Sequence, residues 1–221
     1  MSYYIIVFYN KMIQELELSI SDPLVVHFKK LFEINKPLCT FTPNQYNNVR
    51  IDKEPKPYWG WGYSSNDLYI VDENLTNILS IVKNIMKKNG FESDNSTTAA
   101  VSELHYSYTN DDGIMSNAFG IHQDDNGAID YNVNTFILYL DVACRGGELV
   151  FYNRLPDISC SCSLFTECMG ESLYEPFRTI NTDNPTEISC KVVMFNGSIY
   201  HKPNVISSGH RLSIVIQIPR L

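Results

Sequence analysis

The sequence is short of positive charge: lysine and arginine number 17 against 25 acidic residues, for a formal net charge of −8 and a pI near 5.1. Such a chain gets no general electrostatic help in holding a phosphate backbone, which argues against duplex nucleic acid as the main partner. No stretch reaches the roughly 18 apolar residues of a membrane span. The short apolar start at 3–9 lacks a basic leader and a small-residue cleavage site, so it reads as a strand. We therefore expect an intracellular protein, cytoplasmic or nuclear, with no membrane partner. Internal repeats and low-complexity tracts are also missing. Six cysteines are present, and in a reducing compartment they stay thiols. Cys160, Cys162 and Cys168, with Cys144 or Cys190, do not have the gaps of common zinc sites, so they are read as unliganded.

What is present is enough apolar material, 44% of 221 residues, for a real core. We expect a single domain over 1–221. Residues 1–98 would be a helical or mixed support, and residues 99–221 a β core interrupted by an inserted loop at 153–189. Residues 12–18 fit a strand or a helix equally. Ser21-Asp22-Pro23 is a helix start, with a capping side chain and proline in the first turn. Leu24, Phe28, Leu31 and Phe32 follow on one stripe, and Pro37 ends it. Residues 37–66 are rich in proline, asparagine and aromatic rings and read as a loop pinned to the core. The clearest helix covers 74–89: Leu75, Ile78, Leu79, Val82, Ile85 and Met86 share a face. Lys87 and Lys88 suit its last turn, and Gly90 is its stop.

From residue 99 the pattern turns to β. On 101–108, Leu104, Tyr106 and Tyr108 share one face. Further strands are expected at 135–140, 148–152, 190–195, 199–201 and 211–218. Asn196-Gly197 is a tight-turn signal, and a turn at 207–209 is expected to join the last two strands. Many short strands with turn punctuation indicate a sandwich or barrel-like core.

The chemistry centres on His122-Gln123-Asp124. Residues i and i+2 of an extended segment point the same way, so His122 and Asp124 can bind one ion together. His201 is the candidate third ligand. Two imidazoles and a carboxylate on one face of an octahedral ion leave three positions open, which suits non-haem Fe(II). On 211–218, Leu212, Ile214, Ile216 and Ile218 form one face, and Arg211, Ser213, Val215 and Gln217 the other. A guanidinium inside a β barrel can grip a dicarboxylate through two parallel hydrogen bonds. Asp125 reads as a loop carboxylate, His105 and His210 as structural, and His27 as part of the first helix.

Several pieces in fixed order carry a family resemblance: His122-Gln123-Asp124, Tyr139-Leu140-Asp141, Gly146-Gly147-Glu148 with Phe151, Phe195-Asn196-Gly197, His201 with Pro203, and Gly209-His210-Arg211-Leu212-Ser213. As a set they resemble the Fe(II)/2-oxoglutarate-dependent dioxygenase superfamily, and within it the prolyl 4-hydroxylase-like branch. The resemblance spans about half the chain, from about residue 101 onward. It implies a mainly β fold with supporting helices and a double-stranded β-helix (jelly-roll) core. It further implies that His122, Asp124 and His201 ligate iron and are catalytic. Arg211 would hold 2-oxoglutarate, assisted by Ser213, with Tyr139, and Tyr106 or Tyr108, contacting the co-substrate. Fe(II), 2-oxoglutarate and O2 follow as cofactors and co-substrates, with ascorbate as an optional accessory. The implied activity is an oxidoreductase hydroxylating a protein or peptide side chain, prolyl first. Two alternatives stand beside it: oxidative demethylation of a nucleobase, and a non-catalytic module that binds a partner on the same fold. The first lacks the second downstream arginine of such dealkylases, and the second has no chemical need for three ligands and Arg211.

Overall fold

Strand alternation sets the layout. The computed structural model describes residues 12–53, 68–94, 99, 101–110, 113–115, 120–125, 132–155, 173–183 and 186–220. The apolar start at 3–9, the aromatic stretch 55–63 and the cysteines at 160, 162 and 168 lie outside the described residues. Among the described residues, ten strands and two α-helices run in the order β1 (Ile13–Ser19), α1 (Pro23–Asn35), β2 (Tyr46–Asp52), β3 (Leu68–Val71), α2 (Leu75–Lys88), β4 (Val101–Tyr108), β5 (Val133–Gly146), β6 (Leu149–Arg154), β7 (Tyr174–Ile180), β8 (Ser189–Asn196), β9 (Tyr200–Pro203) and β10 (Ile206–Pro219). A seven-stranded sheet has the order β1-β8-β5-β10-β4-β2-β3, and a three-stranded sheet the order β7-β6-β9. All these pairings are antiparallel except β2 with β3. The two sheets form the double-stranded β-helix (jelly-roll) core expected from the sequence. Among the described residues no helix is long and apolar enough to cross a membrane.

The large sheet has two differently used faces. One packs on the helices: Leu104, Leu138, Leu140, Leu212, Ile214, Ile216 and Ile218 meet Leu24, Phe28 and Phe32 of α1 and Ile78, Leu79, Val82 and Met86 of α2. The other faces the small sheet, where Ile137, Tyr139, Val193, Phe195 and Val215 meet Leu149 and Phe151. The helix ends follow local chemistry. Asp22 Oδ1 accepts from Leu24 N–H at 2.9 Å and Pro23 takes the first turn. α2 closes with Gly90 N–H on Lys87 O and Phe91 N–H on Met86 O, at 3.1 and 3.0 Å. Gly90, at φ +88°, supplies the left-handed residue this closure requires.

Several expectations need correction. The stretch 37–66 is not all loop: β2 lies inside it, joined to β4 through the register Tyr46↔Ser107 to Arg50↔Glu103. Its asparagines are poor strand formers, and its ladder comes from a partner far along the chain. The stretch 153–189 holds β7, an edge strand whose Pro176 sits at an irregularity in its pairing with β6. Residues 207–209 are not a turn but the start of β10; Gly209, at φ +87°, comes so close to Ala143 O that a Cβ would overlap it. Asn196-Gly197 is a turn, but β8 and β9 belong to different sheets, so it carries the chain across instead of closing a hairpin. Residues 12–18 resolve as β1. Three strands of the large sheet thus come from the first hundred residues.

The packing sets a stability expectation. Phe28 is fully buried and Val26 half-exposed on the same helix. Phe28→Ala should cost about 3–5 kcal/mol, and Val26→Ala should stay within about 0.5 kcal/mol, both read by urea unfolding.

Candidate metal centre

His122 and His201 are joined through their own backbones. His122 N–H donates to His201 O at 3.0 Å, and His201 N–H donates to His122 O at 2.8 Å. The same segment is stitched onward: the Asp124 and Asp125 N–H groups both donate to Gly197 O, at 2.8 and 3.1 Å. The Gln123 amide donates to Ser198 O. The two ring centroids end 4.3 Å apart.

The side chains then converge. Each histidine Nε2 lies 3.7 Å from Asp124 Oδ1, and ligand atoms of all three residues fall within 4.8 Å of one another. His122 Nδ1 faces Gly120 O at 2.8 Å and His201 Nδ1 faces Ile199 O at 3.0 Å. A carbonyl only accepts, so each Nδ1 carries the hydrogen and each Nε2 keeps its lone pair. Asp124 Oδ2 accepts from Thr135 Oγ1 at 2.5 Å, which leaves Oδ1 for the centre. Two imidazole nitrogens and one carboxylate oxygen, oriented this way by outer hydrogen bonds, fit a divalent cation with open positions. Among the described residues no other such group of donors occurs. His201 is buried, and desolvation lowers its pKa from 6.5 to about 4 against the opposing pull of Asp124. The imidazole is therefore neutral at physiological pH, as a metal ligand must be.

Arg211 sits in the same cavity, 4% exposed. Its Nη1 donates to Gly147 O at 2.6 Å and its Nη2 to Tyr46 Oη at 3.0 Å. Gly147 is required for this approach: at φ +86°, a Cβ there would lie 2.8 Å from Ile206 Cγ2 and 3.1 Å from Arg211 Nη1. Burial raises the Tyr46 pKa, with Arg211 pulling the other way. Burial raises that of Tyr139 as well. Both phenols stay protonated and can donate. The cavity, about 240 Å³, is lined by the three converging residues together with Thr135, Tyr139, Arg211 and Ser213.

The structure brings six of the eight sequence-predicted site residues into this cavity: His122, Asp124, His201, Arg211, Ser213 and Tyr139. Tyr106 and Tyr108 are the exceptions and correct our expectation. They face α1, with the Tyr106 ring 5.2 Å from Phe32 and 5.0 Å from Phe41, and Tyr108 Oη donating to Phe41 O at 3.2 Å. Alternation along β4 carries both with Leu104 to the helix side. Tyr46, which sequence reasoning left in a loop, is the tyrosine at the guanidinium. Thr135 was missed as well, although it lies on a strand face legible from Ile137 and Tyr139. His105, expected to be structural, lines the cavity beside Glu103, its Nε2 3.4 Å from the carboxylate. His210 meets Asp141 at the surface at 3.1 Å, and His27 meets Asp72 at 2.7 Å. Asp125 anchors the loop, accepting from Val133 N–H at 2.7 Å and from Arg220 at 2.8 Å.

No protein-family model matches the sequence, and a search of curated proteins finds no match. Among solved structures the chain is similar to a crystal structure of a Pseudomonas putida prolyl-4-hydroxylase, at 12% identity, over 94% of this chain and 92% of that one, with a TM-score of 0.43. At that identity and score the likeness carries neither activity nor substrate to this chain.

The lowered pKa of His201 predicts a pH dependence for the metal-free protein. Between about 6.5 and about 4 the unfolded chain takes up the proton and the folded chain does not. Stability from the buried neutral ring is complete above 6.5 and is lost as pH falls towards 4. The melting temperature should drop over that window, and His201→Gln should flatten the drop. An equal slope in both proteins would show that the ring is not its source.

Proposed function

We propose that this protein is an Fe(II)- and 2-oxoglutarate-dependent oxygenase acting as one domain over 1–221. Supporting the reading is a single observation: the oriented donors of His122, Asp124 and His201 and the buried guanidinium of Arg211 face one cavity. The three donors would hold iron. Bound there, iron supplies the centre at which 2-oxoglutarate and O2 give succinate and CO2, with one oxygen atom passing to a substrate C–H bond. Ascorbate would be an accessory reductant.

The chain's own part is orientation and exclusion of water. Thr135 fixes Asp124, and the carbonyls of Gly120 and Ile199 fix the two rings. Arg211 receives the distal carboxylate of the co-substrate in paired, charge-assisted hydrogen bonds, and Ser213, Tyr46 and Tyr139 offer hydroxyl donors beside it. Ile137, Leu149 and Val215 make the apolar part of the wall and limit access of water. The substrate we propose is a protein side chain; a prolyl residue is what the sequence resemblance implies.

The purified protein should form succinate from 2-oxoglutarate in an Fe(II)-dependent way. Asp124→Ala and His201→Ala should each lose at least about 100-fold. A folded, iron-loaded sample without turnover would favour a partner-binding module instead.

Arg211→Met should raise the half-saturating 2-oxoglutarate concentration by about 10–100-fold, the worth of a charged hydrogen-bond pair of roughly 1.5–3 kcal/mol. Thr135→Val should instead weaken Fe(II) about 10-fold, read by metal titration.

A further inference from the structure

The cavity-facing side of the large sheet can be followed row by row from the strand registers. One row holds Val101, Gln217, Thr135 and Phe195; the next holds Arg50, Glu103, Val215, Ile137 and Val193; the third holds Asn48, His105, Ser213 and Tyr139; the fourth holds Tyr46, Ser107 and Arg211. The metal centre stands over the first row, where Thr135 holds Asp124, and the guanidinium over the fourth. A diacid reaching from one to the other crosses the middle rows. Those rows are lopsided. Towards β8 the second row runs through Val193, packed with Phe151 and Phe195, to Glu15 on β1, which Arg178 pairs at 2.7 Å; the third stops at Tyr139. Towards β4 and β2 they end in polar groups.

Glu103 is the carboxylate among them. It lines the cavity and is only 8% exposed. Among the described residues its one side-chain partner is His105 Nε2, at 3.4 Å, the far limit of a hydrogen bond. Arg50 stands opposite it in register on β2. A carboxylate only accepts, and with two oxygens and one distant partner this one has acceptor capacity facing the cavity. A substrate group that brings its own hydrogens and positive charge would use it. Position agrees with this: Glu103 is one row along from the metal row and two strands across, outside the line from iron to Arg211.

We propose that Glu103 is a specificity-determining residue that receives the charged nitrogen of a basic side chain, lysyl or arginyl, as the reacting residue of the protein substrate. The inference rests on the oxygenase reading and puts a basic residue in place of the prolyl. The stem passes on the β4 side of the diacid's path, beside Val215, with a methylene group towards the metal centre. Hydroxylation there replaces one C–H by C–OH, the second oxygen atom of O2 leaving in succinate as 2-oxoglutarate loses CO2.

The test is calorimetric binding of pentapeptides Ac-Ala-Ala-X-Ala-Ala-NH2, with X lysine, arginine, proline or norleucine, to the full protein carrying Mn(II) and N-oxalylglycine, and to the metal-free protein. The lysyl or arginyl peptide should bind at least tenfold tighter than the norleucyl and prolyl ones. Glu103→Gln should abolish that preference while Mn(II) affinity stays within twofold. Equal binding of all four peptides, tighter binding of the prolyl one, no binding of the basic ones, or a preference that survives Glu103→Gln would each overturn the proposal. The wild-type comparison of lysine with norleucine reads the charge even if the variant does not fold. Failure of Mn(II) to bind would sink the oxygenase reading instead, and the metal-free titration would still decide the role of Glu103.

Discussion

The site depends on two backbone hydrogen bonds. The reciprocal pair between His122 and His201 is an isolated antiparallel bridge outside any longer ladder. It fixes the Cα positions of two imidazoles that come from distant parts of the chain. The neighbouring contacts of Asp124 and Asp125 with Gly197 O extend the hold by two residues. Because residues i and i+2 project to the same side, fixing His122 also aims Asp124. The three donors owe their geometry to main-chain bonds, which leaves His122 Nε2, His201 Nε2 and Asp124 Oδ1 facing one another.

The large sheet converts a single alternation into two chemistries. Its helix side is continuous hydrocarbon from β5, β10, α1 and α2. That layer is closed by capped helices and gives the sheet its rigidity. Its inner side changes character across the sheet, from apolar rings near β8 to hydroxyls, amide, carboxylate and guanidinium from β10 to β2. A shift of one residue in β10 would send Arg211 into the helices and Leu212 into the cavity, so register is strongly specified.

Local and global electrostatics point in opposite directions. The chain as a whole carries a formal −8, whereas the far end of the cavity holds a buried arginine whose side-chain hydrogen bonds, among the described residues, go to a carbonyl and a phenol. Burial in dry surroundings strengthens the attraction of such a guanidinium for an anion. The neutral ring of His201 follows the same logic: burial denies it a proton, and the lone pair is what a cation needs.

Much of this was legible in the sequence because it depends on periods and local caps. Leu75 to Met86 fall on one helical face whatever the surroundings. Leu212 to Ile218 alternate against Arg211 to Gln217, and His122 and Asp124 share a side through spacing alone. What was not legible depends on partners far along the chain. β2 reads as a loop because Asn47 and Asn48 are poor strand formers; it is a strand because β4 offers it a ladder. β7 reads as an insertion because its edge position needs no apolar alternation. Tyr106 looked as plausible a co-substrate contact as Tyr46, and only the packing of α1 on β4 sends the first one away and leaves the second beside Arg211. Sequence by itself determined the shared side of His122 and Asp124 and the alternation that puts Arg211 and Ser213 on one face of their strand. Tertiary structure decided which faces meet, because long-range strand pairing is set by the summed burial of the whole sheet and not by any local stretch of it.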